Sequence, residues 1–170
     1  MHQVQSFFGG IGSINRTPTR VGVDYSVSNL KQIMNIIIPH FKSYPLQSAK
    51  SIDFSFWSSC IPLLRSQEHC SPTGLNNILS IPGALKKHRR CFFMENFPDV
   101  KTIIRPPFLV NDLPLNPNWV SGFTEGDGSF YISIRSSNNQ VRPFYSIGLN
   151  EREYNLLVKI QSFFGDIGKI

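Results

Sequence analysis

Val4–Ile14 reads VQSFFGGIGSI and Ile160–Ile170 reads IQSFFGDIGKI, eight identities in eleven positions at an offset of 156. A match of that quality points to one structural position visited twice in a duplicated architecture. The period is nearly the whole 170-residue chain. The sequence therefore holds about one repeat length cut out of phase, starting inside one unit and stopping inside the next. The plainer alternative is a helix-to-strand turn used twice.

Between the copies the local pattern mixes helix and strand, so the expected class is α+β. Gln3–Phe8 looks like a helix tail closed by Gly9 and Gly10, where a left-handed cap favours a residue without Cβ. Val21, Val23, Tyr25 and Val27 alternate with Gly22, Asp24 and Ser26, the period of a half-buried strand. Ser28 or Asn29 then caps a helix over Leu30–Ile38, which Pro39 is expected to end. Ser48–Arg65, with Ile52, Phe56 and Cys60 on one stripe, and Leu75–Ile81 predict further helices. Five prolines, Pro98, Pro106, Pro107, Pro114 and Pro117, punctuate an extended connector from about Asn96 to Asn116. Beyond it come a short helix (Asn118–Glu125), a strand (Ser129–Ser136), a polar turn, a strand (Arg142–Leu149) and a helix (Glu151–Phe164). Three segments result: 1–95, a connector 96–116, and 117–170.

Composition limits the function. With 41% hydrophobic and 12% aromatic residues the chain can bury a core. The formal net charge is +6, divided unevenly: Met1–Val110 carries +7 and Asn111–Ile170 carries −1. A basic surface favours a polyanion partner, with nucleic acid first. Cys60, Cys70 and Cys91 are too few and too irregular for a disulfide framework. The most apolar segment, Ile33–Ile38, is too short and too interrupted to span a membrane. Cys60, His69, Cys70 and His40 match no standard zinc spacing, so no zinc is expected. The basic run Lys86, Lys87, Arg89 and Arg90 suits phosphate contacts or a solvated stretch.

The stretch with the most chemistry is Trp119–Phe130, WVSGFTEGDGSF. Gly122 and Gly126 fall on one side of a short helix, spacing that lets a second helix approach until the backbones nearly touch. Each glycine costs helix stability about 1 kcal/mol relative to Ala, so something must offset them. Glu125 and Asp127 stand at the helix end where the macrodipole disfavours carboxylates. A partner helix packed on the glycines would bring its own terminal carboxylate beside Asp127, and paired oxygen ligands invite Mg²⁺. Equally, Asp127-Gly128 is a common turn before a strand; the stretch alone leaves both readings open. On the next strand Phe130, Ile132 and Ile134 alternate with Ser129, Tyr131, Ser133 and Arg135, one oily face and one hydrogen-bonding face. The polar face can enter a major groove, with Arg142 and Ser146 continuing it and Arg16 and Arg20 contributing from the upstream turn. Most such contacts would position phosphates.

Val120–Gly128, VSGFTEGDG, resembles the signature of the LAGLIDADG homing endonucleases in its glycines and its two acids. Asn116-Pro117-Asn118-Trp119 before it and Ser129-Phe130-Tyr131 after it resemble the start of a unit in the two-repeat, intron-encoded members from fungal mitochondria. Ile38-Pro39-His40-Phe41, Tyr44-Pro45-Leu46, Lys50, Asp53-Phe54, Glu68-His69, Gly74-Leu75, Phe97-Pro98 and Arg105-Pro106 resemble the second half of a preceding unit. The likeness is weakest over Pro82–Asn96. It implies αββαββα units packed through their signature helices, with the sheets forming a saddle over double-stranded DNA. Asp127 would then be a Mg²⁺ ligand, Glu125 a stabiliser of the helix junction, and Lys50 the basic residue near the cleaved phosphate. A mitochondrial location follows from the same resemblance.

The pattern departs from the family in one respect that bears on activity: one signature helix is present where a two-unit enzyme needs two. The expectation is a fragment, with 1–95 the C-terminal half of one unit and 117–170 the N-terminal half of the next. The alternative is a permuted unit that dimerises. The second helix would come from another copy or another part of a longer chain. Three functions follow: a Mg²⁺-dependent DNA endonuclease, a maturase-like protein that binds intron RNA and assists splicing, or an inactive remnant.

Overall fold

The computed structural model describes residues 1–16, 21–81, 95–98, 100–135 and 140–170. Arg20, the Lys86–Arg90 run and most of the turn around Ser137 lie outside the described residues. The fold is α+β and divides into two compact units, Met1–Leu46 with Lys50–Pro106, and Gln47–Ala49 with Pro107–Ile170.

The first unit opens with α1 (His2–Phe7), a glycine turn, and the antiparallel hairpin of β1 (Ser13–Arg16) and β2 (Val23–Ser26). Gly9, Gly10 and Gly12 all have positive φ. The Gln5 side-chain amide donates to the Gly12 carbonyl at 3.0 Å, and Tyr25 Oη donates to the Ile11 carbonyl at 3.0 Å, so the turn is held from both sides. Asn29 caps α2 (Leu30–Gln32) by accepting from the Gln32 amide at 3.1 Å. Pro39 does not end this helix, contrary to the sequence expectation. A π-turn over Ile33–Ile37 intervenes, and α3 (Ile38–Ser43) follows with the proline in its first turn. That is where a residue with no N–H and a fixed φ fits a helix.

Past α3 come α4 (Lys50–Arg65), a 3₁₀ turn (Glu68–Cys70) and α5 (Pro72–Ser80). The last begins earlier than the pattern suggested, because Ser71 caps it by accepting from the Gly74 amide at 3.0 Å. Ile33, Cys60, Ile61, Leu79, Ile81 and Val100 are buried. His40 meets Phe7, Phe8 and Phe41 edge-on, and Arg105 pairs with Asp53.

The second unit contains α6 (Pro117–Asp127), the antiparallel hairpin of β3 (Gly128–Arg135) and β4 (Gln140–Ile147), a 3₁₀ turn (Glu151–Glu153) and α7 (Tyr154–Phe163). Asn116 and Asn150 supply the side-chain caps, accepting from Asn118 and Arg152 amides. Leu115, Val120, Leu156 and Ile160 form its core, with Trp119, Phe123, Ile147 and Leu149 packed against them. The extended segment after Pro107 is tied down by Lys159, whose Nζ donates to the Asn111 carbonyl at 2.6 Å and to its Oδ1 at 3.0 Å. Gln47–Ala49 joins this unit through the Ala49 amide, which donates to Glu153 Oε1 at 2.8 Å. Among the described residues no helix is long and apolar enough to cross a membrane.

Candidate nucleic-acid interface and acidic helix end

Val120 is buried on α6, and Trp119 and Phe123, stacked at 4.6 Å, face the same core. The 3.6-residue period therefore turns Gly122 and Gly126 outward, and both are exposed. A Cβ added at either would meet nothing within 4 Å among the described residues. Nothing described in this chain uses the space these glycines leave.

Glu125 and Asp127 are exposed at the C-terminal end of α6. Among the described residues no hydrogen bond or ion pair engages either carboxylate. The turn reading of Asp127-Gly128 finds little support in the backbone. Gly128 has φ −96° and ψ 161°, extended values that any residue adopts, so no left-handed turn is present. Glycine is demanded there for another reason: a Cβ would stand 2.6 Å from Thr124 Cγ2 and 2.7 Å from its carbonyl oxygen. The helix thus passes straight into β3 with no loop, and two positions separate Asp127 from Ser129, the first side chain of the polar strand face.

The hairpin register sorts the side chains. Ser129 pairs with Ser146, Tyr131 with Phe144, Ser133 with Arg142 and Arg135 with Gln140. Directly paired residues share a face, so Tyr131, Ser133, Arg135, Arg142 and Ser146 come together on one side of the sheet. On the other side, Phe130 stacks on Tyr145 at 5.0 Å, and Tyr145 Oη lies 2.9 Å from Thr124 Oγ1. Farther along, Ile132, Ile134 and Val141 stand exposed.

Arg16 ends β1 and Lys50 begins α4, both exposed and both in the first unit. Asp127 belongs to the second. Burial pushes the Cys60 thiol up from its usual range, which disfavours a metal-binding thiolate there. Among the described residues no three His, Cys, Asp or Glu side chains are grouped to hold a metal. A groove of about 490 Å³ between α4 and α5 is lined by Ser55, Phe56, Ser59, Leu63, Asn77, Ser80, Ile81 and Ile103, with no ionisable group. It offers no acid or base for catalysis. Sequence reasoning missed Phe144, which stacks on Tyr131 at 5.2 Å with the rings 5° from parallel. Only the strand register, which pairs these two positions, reveals it.

Residues 1–61 and 120–170 match the sequence pattern of the family described as LAGLIDADG endonuclease. The whole chain is 29% identical to probable intron-encoded endonuclease 3 of Neurospora crassa, covering 32% of that protein. Over 95% of the chain it is 31% identical to probable intron-encoded endonuclease 2 of the same fungus, covering 37% of it. Among solved structures, the LAGLIDADG homing endonuclease I-GzeII in complex with its DNA target superposes with a TM-score of 0.81 and 32% identity, over 96% of this chain and 56% of that one. I-LtrWI bound to target DNA gives 0.84 and 29%, over 99% and 57%. The chain thus spans about a third of the length of these two fungal relatives and a little over half of the solved enzymes.

Proposed function

This chain belongs to the LAGLIDADG endonuclease family, and from that membership we propose that it supplies one half of a DNA-cleaving centre that hydrolyses a phosphodiester bond at an intron insertion site. The observation that carries the reading is the bare glycine stripe ending in free carboxylates. Gly122 and Gly126 weaken α6 by about 1 kcal/mol each relative to Ala, and no described residue of the chain fills the space above them. A second signature helix, from another copy or another part of a longer protein, fits that stripe and offsets the cost by close packing.

Within this reading Asp127 is the catalytic carboxylate and Glu125 stabilises the helix junction. The hard oxygen donors of Asp127, unengaged among the described residues, fit a divalent ion such as Mg²⁺ when the partner helix adds its own carboxylate. When bound, the ion would activate a water and neutralise charge developing on the scissile phosphate. The polar face of β3 and β4 orients duplex DNA, with Arg135 neutralising charge along it and Arg142 adding a second cation to the face. Lys50 is assigned the position beside the cleaved phosphate, and Arg16 and Arg20 make backbone contacts that set register without reading sequence. A mitochondrial site of action is part of the same proposal and rests on the likeness to intron-encoded proteins.

Cleavage of duplex DNA carrying the uninterrupted insertion site, in Mg²⁺, tests the reading with the full chain alone and with a chain that supplies a second signature helix. Asp127→Asn is expected to lower cleavage by roughly 10²-fold or more, the usual effect of removing one group that stabilises transition-state charge, with duplex binding retained. Equal cleavage by the variant removes Asp127 from catalysis. Salt-sensitive binding of intron RNA with no affinity for the duplex shifts the function to splicing assistance.

A further inference from the structure

We propose that the hairpin of β3 and β4 reads duplex DNA by rows, the Tyr131–Phe144 pair seating a thymine 5-methyl group and the Ser133–Arg142 row bonding a guanine about two base pairs farther on. The inference rests on the DNA reading above and deepens it by naming the sequence the face selects. Its starting point is an aromatic pair in the wrong surroundings. Tyr131 and Phe144 stand on the polar face, between the hydroxyls of Ser129 and Ser146 on one side and Ser133 with Arg142 on the other. The two residues are 49% and 41% exposed.

On the opposite face, one ring of the matching pair has an anchor that this pair lacks. Tyr145 is anchored to the rest of the unit through the hydroxyl contact with Thr124 and an edge contact with Phe164 at 5.9 Å, and Phe130, 76% exposed, stacks on it. Tyr131 and Phe144 touch each other, and among the described residues the Tyr131 hydroxyl has no hydrogen bond. Internal contacts hold Tyr145 in place, and neither Tyr131 nor Phe144 has a comparable anchor among the described residues.

Ring geometry selects the ligand. With centroids 5.2 Å apart and planes 5° from parallel, the two rings cover one another's inner faces. No base can slide between them, since that would need about twice the contact distance of ~3.5 Å. Side chains stand roughly perpendicular to a sheet, so the pair presents outward the apolar edge of the Phe144 ring beside the hydroxyl-tipped ring of Tyr131. In the major groove the apolar feature on a base edge is the thymine methyl group.

Spacing supplies the second half. Successive rows on one face of a strand lie two residues apart, about 6.8 Å at ~3.4 Å per residue. Stacked base pairs advance ~3.4 Å each. One row therefore corresponds to about two base pairs. Arg142, paired with Ser133 one row toward the hairpin tip, carries the guanidinium that bonds guanine O6 and N7 in a fork.

The test is selection from random duplex DNA with the full 170-residue chain, followed by binding to selected duplexes. The expected result is a thymine column followed two positions later by a guanine column. Replacing that thymine by deoxyuridine weakens wild-type binding about fourfold, the worth of one buried methyl. It leaves the Tyr131→Ser, Phe144→Ser double variant unaffected. Arg142→Ala erases the guanine column, with a loss of about tenfold, and keeps the thymine column. Deoxyuridine requires no change to the protein, so a poorly folded variant does not blunt the test. Sequence-selective duplex binding with no thymine column, or with indifference to deoxyuridine, overturns the inference and leaves the endonuclease reading standing. Preference for single-stranded RNA over every duplex, or no binding to duplex DNA even when a second signature helix is supplied, overturns both.

Discussion

The two copies of the repeated turn adopt one backbone in two settings. In the first, Gly9, Gly10 and Gly12 have φ of +72°, +78° and +74°; in the second, Gly165, Asp166 and Gly168 have +76°, +60° and +85°. Gln5 Nε2 donates to the Gly12 carbonyl at 3.0 Å, and Gln161 Nε2 donates to the Gly168 carbonyl at 3.1 Å. Yet the surroundings differ. A Cβ at Gly12 would press on the Ser26 carbonyl, Val27 and Tyr25 at 2.6–2.9 Å, whereas one at Gly168 would meet nothing within 4 Å among the described residues. Local sequence alone therefore specifies the turn. The neighbours specify only how costly it is to disturb.

Substitution of the paired glycines is the sharpest way to break this comparison. Gly12→Ala places a side chain in left-handed backbone, roughly 1–2 kcal/mol, and drives it into β2, a further 1–3 kcal/mol or so of overpacking. Gly168→Ala carries the first cost alone. The expected losses are about 2–5 kcal/mol and about 1–2 kcal/mol. Trp57 lies in the first unit and Trp119 in the second, so urea unfolding followed by fluorescence reports each unit in a background where the other tryptophan is Phe. Equal losses would mean that packing on β2 contributes nothing to the turn.

A smaller effect sharpens the same contrast. Gln5→Ala and Gln161→Ala each remove one hydrogen bond that ties a helix to the turn, worth about 0.5–1.5 kcal/mol. The Gln5 bond is half-buried and the Gln161 bond exposed. Gln5→Ala is therefore expected toward the upper end of that range and Gln161→Ala toward the lower, measured by the same unfolding experiment. A larger loss at Gln161 would show that the bare copy depends more on its own hydrogen bond than on its neighbours.

What could be read from the sequence was local, and what escaped it was not. The α6-to-β3 passage, the alternation on β3 and the outward glycines all follow from periods of 3.6 and 2, which any short window displays. Pro39 was misjudged because helix termination is its usual local effect. Here the Ile33–Ile37 π-turn places it in the opening turn of α3, an adjustment with no sequence signature. The anchoring of Ala49 by Glu153, 104 positions away, has no local signal at all. Phe144 went unnoticed for a related reason, since finding its partner requires the register across the hairpin. The candidate site was legible to the same extent: its acids and glycines lie in one window, and the face that β3 and β4 build together emerges only once the register is known.

The smallest effect has the opposite sign, and it ties the repeated turns to the candidate site. A Cβ at Gly12 or Gly128 would press on its neighbours; one at Gly122 or Gly126 would meet nothing within 4 Å among the described residues. Their φ values are helical, so no backbone strain opposes a side chain. Gly122→Ala and Gly126→Ala should each stabilise the chain by about 0.5–1 kcal/mol, the helix-propensity gain of Ala over Gly. A seated partner helix would reverse the sign, because its backbone would occupy the space of the new methyl groups. Unfolding of the double variant should therefore show a higher midpoint at dilutions where chains are separate, and its sedimentation should show weaker association where the native chain self-associates or binds a second signature helix. A double variant that is both more stable and equally able to associate would mean that the glycine face is not where a partner docks, and the carboxylate of Asp127 would then have no second oxygen ligand brought to it along α6.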